Sequence, residues 1–104
     1  MKRPEVVNRI RKQIKTFLPE ARTILYGSEA RGDARQDSDI DLLILVPEEE
    51  VLPEREYAIA SKLFEIELNT GVVISSLVMP RKQWENPRVM TPFYNNVKRE
   101  GMLL

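Results

Sequence analysis

The most informative absences in this 104-residue chain are cysteine and histidine, neither of which occurs once. Without cysteine there is no disulfide framework, no thiol nucleophile and no Cys/His zinc site. Without histidine there is no Ser-His-Asp relay and no imidazole base that titrates near neutral pH. Any catalysis must therefore use carboxylates, hydroxyls, lysine, arginine, backbone amides or a hard metal held by oxygen. Mg²⁺ is the ion that suits such ligands.

Long apolar runs are also missing from the chain. No segment approaches the ~20 consecutive apolar residues of a membrane-spanning helix, and the start, Met1-Lys2-Arg3-Pro4, lacks the apolar stretch of a signal peptide. No repeat or linker divides the sequence. We therefore expect one domain over residues 1–104, with no membrane partner. The lack of cysteine is compatible with a reducing compartment, so we expect a cytoplasmic location.

An excess of positive charge is the third absence, since 16 basic and 16 acidic residues give a net charge of zero. This balance argues against strong nucleic-acid binding, which depends on many contacts between Lys or Arg and phosphates. The charge is uneven, with +5 over residues 1–35, −8 over 36–67 and +3 over 68–104. The acidic middle could gather cations, although we interpret its run of three glutamates, Glu48 to Glu50, as a solvated loop.

The spacing of apolar residues predicts alternating helices and strands. Helical signals cover residues 4–18, 53–68, 81–85 and 91–100, and β-type apolar runs cover 23–26, 39–46 and 72–79. The run that ends at Val46 is nearly continuous, which predicts a strand buried on both faces. Three strands interleaved with helices indicate an α/β (α+β) domain in which helices flank a small mixed β-sheet.

The first segment with chemical content is Gly27-Ser28, directly after the first predicted strand. Ser28 can cap a short helix that begins there, and a helix N-terminus presents unpaired amides to an anion. Gly27 has no side chain to keep a phosphate away from the backbone. The pair therefore predicts a phosphate-binding turn, although an isolated Gly-Ser is more often an ordinary turn.

The second segment is Asp39-Ile40-Asp41, at the head of the most apolar predicted strand. Side chains at positions i and i+2 of a strand lie on one face, so both carboxylates share a side while Ile40 points to the other. Two neighbouring negative charges in a buried place resist ionisation, and a divalent cation relieves their repulsion. An isolated Asp-x-Asp is more often a capped strand end. Beside a phosphate-binding turn, it predicts a site for a nucleoside triphosphate with Mg²⁺.

The joint spacing of these segments resembles a known signature. Gly27-Ser28, ten further residues and Asp39-x-Asp41 resemble the motif of the DNA polymerase β-like nucleotidyltransferase superfamily. The fuller strings, Gly27-Ser28-x-Ala30-Arg31-Gly32 and Ser38-Asp39-Ile40-Asp41-Leu42, resemble its minimal nucleotidyltransferase (MNT) branch. Length and element order also fit, so the resemblance covers most of the chain. It implies the transfer of a nucleoside monophosphate, most simply AMP from ATP, to a hydroxyl, with Mg²⁺ as cofactor and pyrophosphate as leaving group.

The resemblance also implies roles for individual residues. Gly27 and Ser28 would hold the β- and γ-phosphates, and Ser38 is a further candidate for nucleotide binding. Asp39 and Asp41 would be the catalytic residues and the ligands of Mg²⁺. Such catalysis is mostly positioning and electrostatics, which needs no histidine.

Two positions leave alternatives open. Arg31 could reach a phosphate, but a surface salt bridge with Asp33 or Asp37 is an equal alternative. The family pattern has a third carboxylate on a neighbouring strand, and this chain has Ser75 there, which cannot supply a negative charge or an effective base. Glu65 and Glu67 are conceivable substitutes, although solvent-facing charges are the stronger interpretation for both.

The resemblance finally implies a partner. Minimal nucleotidyltransferases are commonly paired with helical HEPN-domain proteins in toxin–antitoxin modules, where they act as the antitoxin by modifying a tyrosine of the partner. The alternative is a catalytically weak or inactive module that neutralises its HEPN partner by binding, which Ser75 favours. A small-molecule nucleotidyltransferase of the aminoglycoside type is less favoured because that class usually carries an extra domain. Homo-oligomerisation stays open.

Overall fold

The computed structural model describes residues 1–104, which form five helices and four strands. In chain order these are α1 (Pro4–Phe17), β1 (Arg22–Tyr26), α2 (Gly27–Arg31), β2 (Ile40–Val46), α3 (Pro53–Thr70), β3 (Ile74–Pro80), α4 (Arg81–Glu85), α5 (Pro92–Glu100) and β4 (Met102–Leu103). The predicted class, a mixed sheet flanked by helices, is confirmed, and the predicted ends lie within two residues of the observed ones. None of the helices combines the length and the apolar character that crossing a bilayer requires.

The sheet has the strand order β3-β2-β1-β4. β2 runs antiparallel to β1 and parallel to β3, and β4 pairs antiparallel with β1. The parallel pair needs a crossover, which α3 supplies. β2 is therefore a central strand, and its residues from Leu42 to Val46 are all buried, as the continuous apolar run predicted.

One face of the sheet, which we call the covered face, lies beneath α1 and α3. Alternate residues of β2 point into this layer and meet apolar stripes of both helices. The buried apolar residues of this layer are Val7, Ile10, Ile14, Leu18, Leu25, Ile40, Leu42, Ile44, Val46, Ile59, Leu63, Ile66 and Ile74. They form the main hydrophobic core.

The opposite face, which we call the site face, is covered over only part of its area. Leu43 and Leu45 of β2 pack there against Trp84 of α4 and Val97 of α5. Aromatic rings complete this smaller cluster, including an edge-on contact of Tyr26 with Phe93 at 5.4 Å between ring centroids. The helices end the coverage before the head of β2, where Asp41 is half-buried.

The C-terminal strand β4 has no counterpart in the sequence prediction. Gly101 ends α5, and the next two residues pair with β1, with Leu103 opposite Ile24. Gly101 has a φ of −67°, outside the left-handed region. Glycine is needed at this position for lack of space, because a Cβ on residue 101 would meet the Val97 carbonyl and the Ile24 side chain. The C-terminal segment thus packs within the domain.

Candidate active site

The turn between β1 and α2 forms one side of the site. Tyr26 is extended and precedes the helix, which starts at Gly27 with φ +76°. The prediction that Ser28 caps this helix is wrong, because no side chain caps it and Ser28 already lies in its first turn. The Ser28 carbonyl accepts hydrogen bonds from the amides of Gly32 and Asp33 at the other end of α2.

Gly27 lies directly against Asp41. Tyr26 and Asp41 are opposite each other in the β1–β2 register, and a Cβ added to Gly27 would overlap the Asp41 carboxylate. Only glycine therefore satisfies both the positive φ and the close approach at this position. The structure brings together the glycine turn and the carboxylate that the sequence motif separates by more than ten residues.

The two aspartates differ in their surroundings. Asp39 is exposed just before β2, Asp41 is half-buried within the strand, and Ile40 between them is fully buried on the covered face. Burial raises the pKa of Asp41, the negative charge of Asp39 raises it further, Arg31 lowers it and Glu100 raises it. Burial and then the charge of Asp41 likewise raise the pKa of Tyr26. The head of β2 thus has an excess of negative charge that a cation would relieve.

The position beside Asp41 on β3 is Ser75, which is exposed and in register with it. The neighbouring strand therefore has a hydroxyl at the position where a third carboxylate would complete the group of acids. Glu67 does not replace it, because its Oε1 accepts a hydrogen bond of 2.6 Å from the Ile74 amide. Glu65 is exposed on α3, the helix of the covered face. No group of three or more acidic side chains is arranged to hold a metal.

Arg31, the last residue of α2, makes two ion pairs. Its Nε donates to Asp33 Oδ2 at 3.2 Å and its Nη1 donates to Glu100 Oε2 at 3.0 Å. The predicted salt bridge with Asp33 is therefore present, and the alternative partner Asp37 is not used. Glu100 comes from α5, 69 positions further along the chain, and nothing in the local sequence indicated it.

Ser38 shapes the loop that leads into the aspartates. Its Oγ accepts a hydrogen bond of 2.9 Å from the Arg35 amide, and its own amide donates to the Arg35 carbonyl at 3.1 Å. The residue thus closes a tight turn immediately before Asp39. Its assignment to nucleotide binding stays a prediction.

Glu29 is the buried polar residue that the sequence interpretation missed. Its carboxylate is fully buried and accepts hydrogen bonds from the amides of Lys2 and Arg3, at 2.7 and 2.8 Å, and from Arg3 Nε at 2.7 Å. Burial alone would raise its pKa, but these donors outweigh burial and lower it. Glu29 occupies an unspecified position of the motif, so no sequence signal marked it. It ties α2 to the start of α1 and so fixes the base of the turn at Gly27.

Comparison with known proteins agrees with this geometry. A family model for the nucleotidyltransferase domain matches residues 7–98. Two proteins of Methanocaldococcus jannaschii, both named "putative protein adenylyltransferase", are similar to the chain. One is 33% identical over 102 residues, which cover 94% of each chain. The other is 37% identical over 83 residues, which cover 78% of this chain and 74% of the other.

Two solved structures share the fold. A toxin–antitoxin crystallised with AMP-PNP superposes with a TM-score of 0.65 at 20% identity, covering 92% of this chain and 69% of that chain. A mutant of the toxin–antitoxin MntA–HpeT superposes with a TM-score of 0.63 at 21% identity, covering 93% of this chain and 69% of that chain.

Proposed function

Because the chain belongs to the nucleotidyltransferase domain family, we propose that it transfers AMP from ATP to a hydroxyl group of a partner protein. The resemblance predicted from the sequence is confirmed at the level of the family. The observation that carries the proposal is the direct approach of Gly27 to Asp41, because it brings a carboxylate next to the turn that we predict to bind phosphate. The names of the two relatives support a protein as the acceptor.

The donor set at the head of β2 fits Mg²⁺. Asp39 and Asp41 offer hard carboxylate oxygens, and burial together with the charge of Asp39 makes Asp41 reluctant to ionise without a cation. With only two protein carboxylates, the remaining ligands would be phosphate oxygens and water, which this ion commonly keeps. When bound, Mg²⁺ supplies charge neutralisation at the α-phosphate and alignment of the attacking oxygen.

The other residues of the site act on the phosphates and on the acceptor. Gly27 lets the β- and γ-phosphates approach the backbone, and Ser28 lies in the same turn. The acceptor hydroxyl forms a bond to the α-phosphorus while the bond to the β-phosphate breaks, and pyrophosphate leaves. Ser75 cannot take up the proton of that hydroxyl as a carboxylate would. The proton would then pass to bulk water.

The acceptor would be supplied by a second protein. The site lies at the open end of the site face, where Asp39 is exposed. We propose a HEPN-domain protein as the partner and an antitoxin-type role for this chain, with both acting in the cytoplasm. Solved structures of the same fold are described as toxin–antitoxins, which supports this assignment.

A second candidate function is a nucleotidyltransferase fold that neutralises its partner by binding alone. The observation that favours it is Ser75, whose neutral hydroxyl lies beside Asp41 where a third acid would complete the site. Asp41 favours catalysis, because a domain that only docks gains nothing from a half-buried carboxylate next to another negative charge.

Intact-mass measurement separates the two functions. The chain is incubated with the HEPN-domain partner, ATP and Mg²⁺, and the partner is weighed. We expect a gain of one or more AMP units that disappears with the Asp39→Asn/Asp41→Asn variant. Asp37→Asn is the matched control, because it removes an exposed carboxylate from the same loop. An unmodified partner in a stable complex would exclude transfer to that partner and favour binding alone.

A further inference from the structure

We propose that Glu100 is a positioning residue for Arg31, which it holds so that the guanidinium faces the phosphates of the nucleotide at Gly27-Ser28. This inference rests on the proposed function and extends it to α5, far from the sequence motif. Glu100 would touch neither substrate nor metal. It would act only through Arg31.

The first support is the geometry of the guanidinium. Arg31 Nε donates to Asp33 and Nη1 donates to Glu100, while Nη2 has no partner in the protein. Of the five N–H donors of an arginine, two are therefore engaged and three stay free for an anion. The two carboxylates fix the orientation of the fork without using up its capacity for phosphate.

The second support is that the two carboxylates are held very differently. Asp33 has a side chain that is 63% exposed, whereas that of Glu100 is only 15% exposed. Glu100 is the last residue of α5, and the chain immediately after it pairs with β1. The Gly101 amide also donates to the Val97 carbonyl at 2.7 Å. The fold thus fixes Glu100, and Glu100 can fix Arg31.

The third support is the location of Arg31 relative to the site. Arg31 lies four residues after Gly27 and three after Ser28 in α2, and residues at these spacings share one face of a helix. Gly27 in turn lies against the Asp41 carboxylate. A guanidinium on this side of α2 is well placed for a phosphate in the same turn.

A stabilising role alone does not account for the pair. Arg31 is 47% exposed, and exposed ion pairs contribute little to folding stability. Preorganisation is a different matter, because a free arginine loses its rotamer freedom when it binds a phosphate. An arginine that is already held in place loses less rotamer freedom when phosphate binds. Its conformational entropy is lost during folding instead of during binding.

The test is the Kd for Mg²⁺–ATP, measured by calorimetry on the full chain. Glu100→Ala leaves Arg31 with only the exposed Asp33 as its partner, and we expect it to weaken binding about three- to tenfold, the cost of ordering one long side chain. Glu100→Gln keeps an oxygen that accepts from Nη1 and removes a charge that repels phosphate. We expect its Kd to stay within about twofold of the wild-type value or to tighten. Glu85→Ala is the matched control, since it breaks an exposed ion pair with Arg81 on α4 and should change nothing.

A double-variant experiment isolates the coupling. In an Arg31→Ala background, Glu100→Ala should cause no further loss of affinity, because nothing remains to be positioned. Glu100→Asp keeps the charge but withdraws the carboxylate, so we expect it to weaken binding in the same direction as Glu100→Ala. It also serves if Glu100→Ala fails to fold.

Distinct results overturn the inference and the proposed function. Wild-type protein that does not bind Mg²⁺–ATP at millimolar nucleotide would overturn the proposed function and this inference with it. Wild-type protein that binds, with Glu100→Ala or Glu100→Asp as tight as wild type or tighter, would overturn this inference alone. This inference alone would also be overturned if Glu100→Ala weakened binding equally in the wild-type and the Arg31→Ala backgrounds.

Discussion

The two faces of the sheet share the same strands but differ in what covers them. On the covered face, alternate residues of β2 from Ile40 to Val46 are sealed beneath α1 and α3. On the site face, Leu43 and Leu45 lie beneath α4 and α5, and the next residue toward the head of the strand is Asp41. Because side chains alternate along a strand, the same segment supplies the core on one face and the proposed active site on the other. Folding stability and the proposed activity should therefore respond to different residues of the same strand.

The largest effect is expected from Asp41→Asn on the site face. Loss of the proposed metal ligand would remove several kcal/mol of transition-state stabilisation, so AMP transfer should fall by about a thousandfold or more. The variant should unfold at the same or a higher urea concentration than wild type, because burial and the charge of Asp39 disfavour the ionised carboxylate. Transfer is followed by intact mass and stability by urea titration. Transfer at the wild-type rate would remove Asp41 from the active site.

Leu42→Ala should have the opposite profile. Leu42 is fully buried in the main core, and truncation of such a leucine costs about 2–5 kcal/mol of unfolding free energy. Affinity for Mg²⁺–ATP should be unchanged in the fraction that stays folded. Leu77→Ala on β3 is the matched control, since Leu77 is 42% exposed and its truncation should cost less than about 1 kcal/mol. Equal losses from the two variants would contradict the comparison.

Gly27→Ala tests the contact between the turn and the carboxylate. A non-glycine residue at positive φ costs about 1–2 kcal/mol, and the new Cβ would also overlap Asp41. Gly71→Ala is the control, because Gly71 has φ +73° but nothing within 4 Å of the added Cβ. We expect Gly27→Ala to lose more stability than Gly71→Ala and to lose nucleotide binding.

Gly27→Ala should lose more unfolding free energy than Gly71→Ala, and this difference should shrink when Asp41→Ala is made in the same chain. If the two glycine variants were equally destabilised with Asp41 intact, the close approach would have no energetic consequence.

The smallest effect concerns pH. The pKa of Asp41 is raised in the folded chain by burial and by Asp39, so its favourable contribution is present below its ordinary value of 3.8 and is lost as pH rises through the raised value. Asp41→Asn should therefore be more stable than wild type at neutral pH. The difference should vanish on acidification. Thermal unfolding across this pH range measures it, and a constant difference would argue against the raised pKa.

Glu29 is expected to behave in the opposite way. Burial would raise its pKa, but its hydrogen bonds with Arg3 and Lys2 lower it. Its contribution is therefore present above its ordinary value of 4.5 and is lost as pH falls through the lowered value. In Glu29→Gln, the unfolding free energy should no longer show the decrease in acid that comes from protonation of Glu29. The two carboxylates thus give opposite pH trends within one small domain.

The parts that sequence predicts well are those with local signals. Apolar spacing and helix-start signals predicted four of the five helices, apolar runs predicted the three longer strands, and the continuous run in β2 predicted its burial. The motif located Gly27 and Asp41 because its spacing is compatible with two adjacent strands. The assignment of nucleotide and metal roles to these residues, and the single-domain organisation, stay predictions.

The parts that sequence could not predict depend on contacts between distant residues or on very short elements. β4 is two residues long and exists only because β1 offers a free edge. The Arg31–Glu100 pair joins residues 69 positions apart. The error at Ser28 has a local cause, since the positive φ of Gly27 starts the helix without a side-chain cap.

The central claim is that the open end of the site face binds a nucleotide through Gly27 and the two aspartates. A calorimetric titration with Mg²⁺–ATP tests this claim most directly. Wild-type protein should bind, and binding should be lost in Asp39→Asn/Asp41→Asn and retained in Asp37→Asn. Equal affinity in wild type and in the double variant, or no binding by wild type at millimolar nucleotide, would contradict the claim.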